Sequence, residues 1–425
     1  MSKILIWRKV DKGNELDIFN KTDYKNLYQH IKSTQNGICP NWGNKLWFQG
    51  LISEIDVPEN TITFRLNETI DEINNTFDMI IYPMANIFAK KHSQSLLDLS
   101  ESLKNIKIPI YIIACGAQAK SYDHIDKLIN TIGEQSKKFI STIYETGGEF
   151  ALRGEFTKHF FDKLGFTSAC VTGCPSLYQL GQNFNVNNNK YKLDELNPVF
   201  NGDLNYVAKG LKYYSNSYYM CQDHYFDFLY NKEQTRLLDF KKQVQFSIIN
   251  NVESINFLKD NKIKMIADMP EWRNFLIKNN FNYSIGSRIH GNIMSILSGI
   301  PSTVIALDTR TREMAEFFDI PLIIPTNKKN YSIKQIEELY LEADYTKFNK
   351  NYKNRYLKYQ QFLCDHKIIS KINENNKFFK DNTLNNDYEK FIVSPSEYSK
   401  LATIMNKNKF IIKLTCKLYS LKNKH

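Results

Sequence analysis

Asn282-Tyr283-Ser284-Ile285-Gly286-Ser287-Arg288-Ile289-His290-Gly291-Asn292-Ile293-Met294-Ser295-Ile296-Leu297-Ser298-Gly299-Ile300-Pro301-Ser302-Thr303-Val304-Ile305-Ala306-Leu307-Asp308 reads as strand, tight loop, short helix, turn and strand. Gly286 and Gly291 bracket an Arg and a His two positions apart. In an extended loop such residues point the same way, so Arg288 and His290 can address one ligand. A helix starting near Asn292 turns its unpaired N–H groups toward that loop, a seat for phosphate or carboxylate. Gly299 and Pro301 end the helix, and an apolar run leads to Asp308. The stretch is half of an α/β nucleotide-type site, with a fixed cation and a titratable imidazole in place of a glycine-only cradle.

The same alternation extends in both directions. Lys3–Trp7 is expected as a buried strand. Asp78–Tyr82 and Ile108–Cys115 read as buried parallel strands, with helical periodicity from Ser93 to Asn105 between them and another helix over Ile125–Ile140. The second strand ends in Gly116-Ala117-Gln118, where glycine lets backbone approach a ligand and Gln118 offers a donor and an acceptor. Pro40 and Gly43 make a turn, and Asn41 or Asn44 can cap a helix that follows. A turn of this kind, reached from an early strand, is where α/β proteins hold ligands; a capped helix without a ligand explains it equally well. Arg153 is expected at a strand end just before a helix, the geometry expected for Arg288, unless it pairs with Glu149 or Glu155.

Residues 181–202 are polar and Asn-rich and serve as the linker candidate. Beyond them we expect a strand at Leu204–Ala208, helices at Ser215–Met220, Asp223–Phe240, Ile255–Asp260 and Met269–Lys278, and a strand at Gln245–Ile249. Asp308–Met314 opens a helix ending near Phe318, and Ile320–Pro325 is a short strand. From about Asn327 the chain is helical, charged and Tyr-rich, and 371–400 looks loosely ordered. Ile411, Leu414, Leu418 and Leu421 share one face of a basic terminal helix, which can dock on the body or lie on an anionic membrane surface.

Length and charge bound the rest. The 425 residues allow two globular domains and a tail: 1–185, 200–330 and a helical basic extension over 331–425. A net charge of +11 favours an anionic partner, although a Lys- and Asn-rich composition alone produces the same balance. The charge is diffuse and no nucleic-acid module is recognisable, so nucleic acid is not expected as a partner. Seven scattered cysteines fit free thiols in a reducing cytosol; Cys170 and Cys174 lack the partners of a zinc site. The N-terminus lacks the apolar region of a signal peptide, and no apolar run approaches the ~20 residues of a membrane span. A cytoplasmic protein is expected, peripheral to the membrane at most.

In their order and spacing, several pieces resemble the polysaccharide pyruvyl transferase family. They are Asn41-Trp42-Gly43-Asn44, Leu152-Arg153-Gly154-Glu155, Val171 to Ser176, Gly286 to Ile293 with Gly299-Ile300-Pro301, and Asp308 to Met314. The resemblance covers about residues 38–325. It implies a GT-B-like fold, two Rossmann-like domains facing a cleft, with the donor on the side of the Arg-x-His loop and the acceptor on the N-terminal side. It implies transfer of the pyruvyl group of phosphoenolpyruvate to a sugar or lipid-linked glycan of the cell surface, as a ketal. The family's donor-binding arginines map to Arg288 and Arg153, and its catalytic His to His290. Asn44 stands where many members carry Asp. Asp308 or Glu313 is expected to orient the imidazole. Ile289, Asn292, Asn41, Asn44, Gln118 and Arg310 complete the expected substrate contacts, and the chemistry calls for no metal or cofactor. Two rivals remain: a GT-B nucleotide-sugar glycosyltransferase, which would release a nucleoside diphosphate, and a non-catalytic subunit of a glycan-synthesis complex.

Overall fold

The structure is a computed structural model, and it describes residues 3–6, 41–55, 69–222, 256–257, 260–326, 330–369 and 372. The helix expected over 223–240, the strand over 245–249, most of the helix over 255–260, the segment 371–400 and the basic terminal helix lie outside the described residues.

The first sheet runs β1 (Ile4–Ile6), β2 (Met79–Pro83), β3 (Ile110–Cys115), β4 (Glu149–Leu152) and β5 (Cys170–Val171), all parallel and side by side in chain order. Its strands are apolar on both faces because both are covered. Leu5, Ile80, Ile110 and Ile112 pack with helices Ser93–Leu103 (α3) and Ile125–Glu145 (α4) in one core. Ile4, Ile6, Met79, Ile81 and Ile113 face a second core, which continues through helix α1 (Trp42–Glu54) into the other half of the chain. Helix α2 (Ile70–Thr76) carries a capping box, Thr69 with Glu72, and leads into β2. Helix α5 (Glu155–Lys163) follows β4.

The second sheet comprises β6 (Pro198–Asn201), β7 (Tyr218–Met220), β8 (Ile263–Lys264), β9 (Tyr283–Gly286), β10 (Ser302–Ile305) and β11 (Leu322–Ile323), all parallel. The spatial order is β11-β10-β9-β6-β7-β8. Chain order therefore reverses between β6 and β9, as in a Rossmann sheet, and the crevice at the carboxyl ends of that pair is where such sheets bind ligands. Helices α6 (Leu204–Tyr213), α7 (Met269–Lys278), α8 (Ile289–Leu297) and α9 (Thr309–Phe318) belong to this half. The carboxyl ends of both sheets meet at one cleft, which is the α/β, GT-B-like architecture expected.

Three local expectations are corrected. Pro198–Asn201, inside the expected linker, is a central strand; two apolar residues, Val199 and Phe200, suffice because both neighbours cover them. Leu204–Tyr213 is a helix, capped by Asp203, whose carboxylate accepts from Asn205 N, with Leu204, Val207, Ala208 and Leu211 on its buried side. The residues expected as a helix at Ser215–Met220 instead enter β7.

Toward the C-terminus, α10 (Ile333–Glu342) and α11 (Thr346–Asp365) follow. Tyr352, Tyr356 and Tyr359 of α11 are fully buried and packed around Tyr178 at ring separations of 5.1–6.0 Å, Tyr359 stacked and the others tilted or edge-on. The Tyr-rich composition is thus core packing, and Tyr352 Oη donates to Leu177 O across to the first half. Among the described residues no helix is long and apolar enough to cross a membrane.

Candidate functional site

At the reversal point the chain leaves β9 at Gly286 and enters α8 at Ile289, with Arg288 as N-cap. The helix therefore starts three residues before the expected Asn292. Arg288 is the last extended residue (φ −93°), and His290 already lies in the first turn. The first-turn amides of Ile289 and His290 have no intrahelical acceptor, whereas Asn292 N donates to Arg288 O at 3.1 Å.

The Asn292 side chain is taken up by protein. Its Nδ2 donates to Gly286 O (2.9 Å) and Arg288 O (3.1 Å), and its Oδ1 accepts from Asn201 Nδ2 (3.0 Å) and Ser302 Oγ (2.8 Å). Asn201, the last residue of β6, also accepts from Arg288 N at 3.0 Å. These bonds tie β6, β9 and β10 to the Arg-x-His loop. They explain Gly286 and Gly291 too: a Cβ on either would collide with Asn201. The glycines make room for a backbone-fixing asparagine.

Arg153 enters the same space from the first sheet. It follows β4, as expected, and Gly154 caps α5. Its side chain is only 2% exposed. Nη1 donates to Asn86 Oδ1 at 2.9 Å, while Nε and Nη2 have no partner among the described residues. Pairing with Glu149 or Glu155, the alternative open from sequence, does not occur. Arg310 is likewise under-satisfied: Nη2 lies 3.2 Å from Asp308 Oδ2, and its buried Nε has no partner among the described residues.

His290 is 8% exposed and lies among these cations. Burial, then the charges of Arg153, Arg310 and Arg288, push its imidazole down to about 3. Near neutral pH it is an uncharged base in a positively charged enclosure. Its hydrogen-bonding neighbour is Cys174, whose Sγ lies 3.9 Å from Nε2 and whose thiol burial holds above its usual range.

Asp308 does not orient the imidazole. It caps α9, with Oδ1 accepting from Thr311 N (3.0 Å) and Thr311 Oγ1 (2.9 Å). Its Oδ2 takes Gln118 Nε2 at 3.1 Å as well as Arg310. Gln118 is thereby engaged with protein, leaving a buried Oε1 unpaired. The loop carrying Gln118 leaves β3 through a bulge with Ala114 at φ +61°, a strained conformation for alanine. Gly116 gives room there to Glu313 and Arg153, each within 3.4 Å of where a Cβ would sit.

Glu313 does not contact His290 either. It is 1% exposed, and its carboxylate accepts from Thr157 N and Thr157 Oγ1 at 2.9 Å. Thr157 is the third residue of α5, whose N-cap Gly154 has no side chain. Glu313 caps that helix from the other half of the chain, and a Cβ on Gly154 would stand 2.9 Å from Glu313 Cβ. Burial pushes the Glu313 carboxyl up to about 8, opposed by the Thr157 bonds and the Arg153 charge.

Asn41 caps α1 through Gly43 N at 2.9 Å. Gly43 packs so closely on α8 that a Cβ would come within 2.8 Å of His290 Cβ. Asn41, Asn44, Asn86 and Arg310 line a cavity of about 550 Å3 that opens from this cluster along the first half. The structure thus brings together Arg153, Arg288, Ile289, His290 and Arg310, with Asn41 and Asn44 along the cavity wall; Asp308, Asn292 and Gln118 are spent on protein contacts. The sequence reasoning missed Asn86, Asn201 and Thr157. Only Asn201 carried a local signal, the Asn-Gly-Asp turn at 201–203 after two apolar residues.

No curated protein matches the sequence. Among solved structures, S. aureus MnaA in complex with UDP is 11% identical, over 88% of this chain and all of that one, with a TM-score of 0.40. A UDP-N-acetylglucosamine 2-epimerase is 9% identical over 88% of this chain and 98% of that one, TM-score 0.41. The glycosyltransferase SnogD from Streptomyces nogalater is 10% identical over 93% and 86%, TM-score 0.26. At such scores these likenesses carry no weight for function. A family profile does: residues 67–309, more than half of the chain and including the Arg153 and Arg288–His290 segments, match Polysaccharide pyruvyl transferase. The chain belongs to the polysaccharide pyruvyl transferase family, a family of transferases.

Proposed function

We propose that the protein transfers the pyruvyl group of phosphoenolpyruvate to a sugar of a cell-surface glycan or its precursor, as a ketal. The observation that carries this is Arg153: a buried guanidinium whose Nε and Nη2 have no partner among the described residues, and whose charge converges on His290 with those of Arg310 and Arg288. Burying such a group without an anion is costly, and a small, highly charged anion removes the cost. Phosphoenolpyruvate carries a carboxylate and a phosphate, both suited to guanidinium forks, and the first turn of α8 adds N–H groups for phosphate.

Protonation of C3 gives positive character at C2. A sugar hydroxyl attacks C2, the bond from C2 to the phosphate oxygen breaks, and a second hydroxyl replaces it to close the ketal. The two hydroxyls release two protons, of which C3 retains one equivalent and the departing phosphate carries the other. His290 is assigned as the base for a hydroxyl. Burial and then three cations suppress its basicity, and a bound trianion offsets the share due to the cations. The site is cytoplasmic in this reading, where phosphoenolpyruvate is available.

Isothermal titration of phosphoenolpyruvate into the wild type and Arg288→Ala is the first test. Binding by the wild type and its loss in the variant supports the donor assignment; no binding by the wild type, with nucleoside diphosphate released from a nucleotide sugar, replaces it with glycosyl transfer. His290→Gln should retain donor binding and lose turnover, and unchanged turnover removes the histidine from the mechanism.

A further inference from the structure

The cavity that opens from the arginine cluster has a wall that the donor does not need. His92, Ser95, Leu99 and Ser102 all line it, at the spacing of one helical face on and just before α3. Asp98 flanks that stripe at the exposed edge, and Leu96 and Leu103 on the other side of the helix are core. A polar stripe on a half-exposed helix is ordinarily a solvated surface. Here it faces Asn41 and Asn44 at the start of α1 and Arg310 of α9 across a half-open cavity of about 550 Å3, within the range of ligand sites.

The chemistry of the wall is specific. The side chains of His92 and Ser95 make no hydrogen bond with any described residue; Asp98 uses Oδ1 for Gln94 Nε2 (2.9 Å) and keeps Oδ2 open. Asn86 spends its Oδ1 on Arg153 and leaves its Nδ2 for the cavity, and Asn44 contributes a second carboxamide. Desolvation, then Lys91, holds the His92 imidazole below its usual range, so it is a neutral donor and acceptor. Leu99, Met84 and Ile87 form an apolar strip in the same cavity. Apart from Arg310, which pairs with Asp308, and Asp98 at the edge, the donors and acceptors around the apolar strip are uncharged and match a pyranose, with a hydroxyl rim and C–H faces. With the Arg310 charge held by Asp308 and directed to the donor in this reading, the charge left at the open edge is the Asp98 carboxylate, which opposes an acidic sugar.

Resting on the pyruvyl-transfer reading, we propose that this cavity is the acceptor subsite, that His92, Ser95 and Asp98 recognise the acceptor, and that the acceptor sugar is uncharged rather than a uronic acid. Asn86 links the two halves of the reaction, touching Arg153 on one side and the cavity on the other, so the sugar hydroxyls lie next to the donor.

Saturation-transfer NMR on the full chain tests this with methyl β-galactopyranoside, the methyl glycoside of N-acetylglucosamine and methyl β-glucuronide as probes, each with and without phosphoenolpyruvate. The wild type should bind at least one neutral glycoside, at least tenfold more tightly than the glucuronide. Ser95→Trp, which fills the cavity, should lose sugar binding, and Asp98→Lys, at an exposed position, should erase or reverse the discrimination against the glucuronide. Phosphoenolpyruvate titration into each variant should give the wild-type affinity, which also reports that the variant is folded. Neutral glycosides bound equally by Ser95→Trp, no glycoside bound by a wild type that binds phosphoenolpyruvate, or a preference for the glucuronide each overturns the proposal. Sugar binding lost in Ser95→Trp, in a protein that never binds phosphoenolpyruvate, upholds the sugar subsite and removes the pyruvyl donor instead.

Discussion

Asn292 and Arg153 are both polar, both buried and both close to His290, yet the fold treats them in opposite ways. Asn292 is fully buried and every polar atom of its side chain is bonded, to Gly286, Arg288, Asn201 and Ser302. Arg153 is nearly as buried, carries a full charge, and is left with Nε and Nη2 unpartnered among the described residues. A saturated buried amide is architecture: it fixes the loop, and its removal leaves several groups without partners. An unsaturated buried cation is a liability for the folded protein alone and an asset once an anion arrives. The difference separates residues that build the site from residues that use it, although both stand in the same sequence motifs.

The largest effect expected from this difference is Arg153→Ala. The phosphoenolpyruvate dissociation constant should rise about a thousandfold, corresponding to roughly 4 kcal/mol. The melting temperature should stay level or rise, since an unpaired buried charge is lost. Calorimetry and a thermal melt on one sample check both; a large fall in stability with donor binding intact breaks the comparison. Asn292→Ala is the mirror image. It should cost about 3 kcal/mol in a denaturant titration, because it removes the side-chain bonds to Gly286 O and Arg288 O and strands Asn201 Nδ2 and Ser302 Oγ. At temperatures where the variant is folded, donor affinity should fall by much less than in Arg153→Ala.

Lys45 sharpens the comparison, because it is a second buried cation without a hydrogen-bond partner among the described residues. Its Nζ has no hydrogen bond and lies 6.0 Å from the Trp42 ring, but the side chain does not line the cavity. Burial lowers its pKa from 10.5 to about 8, against the pull of Asp268 and Glu271. The folded state therefore holds the proton less tightly than the unfolded chain. Stability falls as pH drops from above 10 toward 8, and the penalty is constant below that. Lys45→Met should stabilise the protein by roughly 2 kcal/mol at pH 7, with no gain above pH 11 and no change in donor affinity. A lost donor site in this variant would show that an unpartnered cation here binds ligand wherever it lies.

The sequence made the backbone of the site legible and left its wiring hidden. The strand–loop–helix of 282–308, the apolar strands β2 and β3 and the placement of Arg153 before a helix all follow from local periodicity and glycine punctuation, and each is in place. Asn292, Asp308 and Gln118 were legible as polar residues at the right ends of the right elements. Whether their hydrogen bonds go to substrate or to protein depends on Asn201, Ser302, Thr311 and Arg310, which reach them only through the fold. β6 was hidden because a strand buried on both sides needs so few apolar residues. The helix cap that Glu313 provides for α5 has no local signature at all: its two partners are 156 residues apart.

That cap gives the smallest and most diagnostic effect. Glu313 combines the two treatments, being bonded by Thr157 yet carrying a carboxyl that burial pushes from 4.5 to about 8. A group whose folded pKa is raised holds its proton better folded than unfolded. Its contribution to stability is full below pH 4.5 and is lost as pH rises through 8. Glu313→Gln keeps an oxygen for Thr157 and cannot ionise, so it should change stability by only about 1 kcal/mol at pH 6.5 and flatten the decline toward pH 8. The same substitution reports on the donor. Above pH 8 the ionised wild-type carboxylate offsets part of the Arg153 charge, so phosphoenolpyruvate should bind about fivefold more weakly at pH 9 than at pH 6.5, and Glu313→Gln should hold its affinity across that interval. Parallel affinity curves for the two proteins would mean that the carboxylate does not act on the arginine and is a helix cap alone; a slope present only in the wild type would make the joint between the two halves a regulator of the anion site they share.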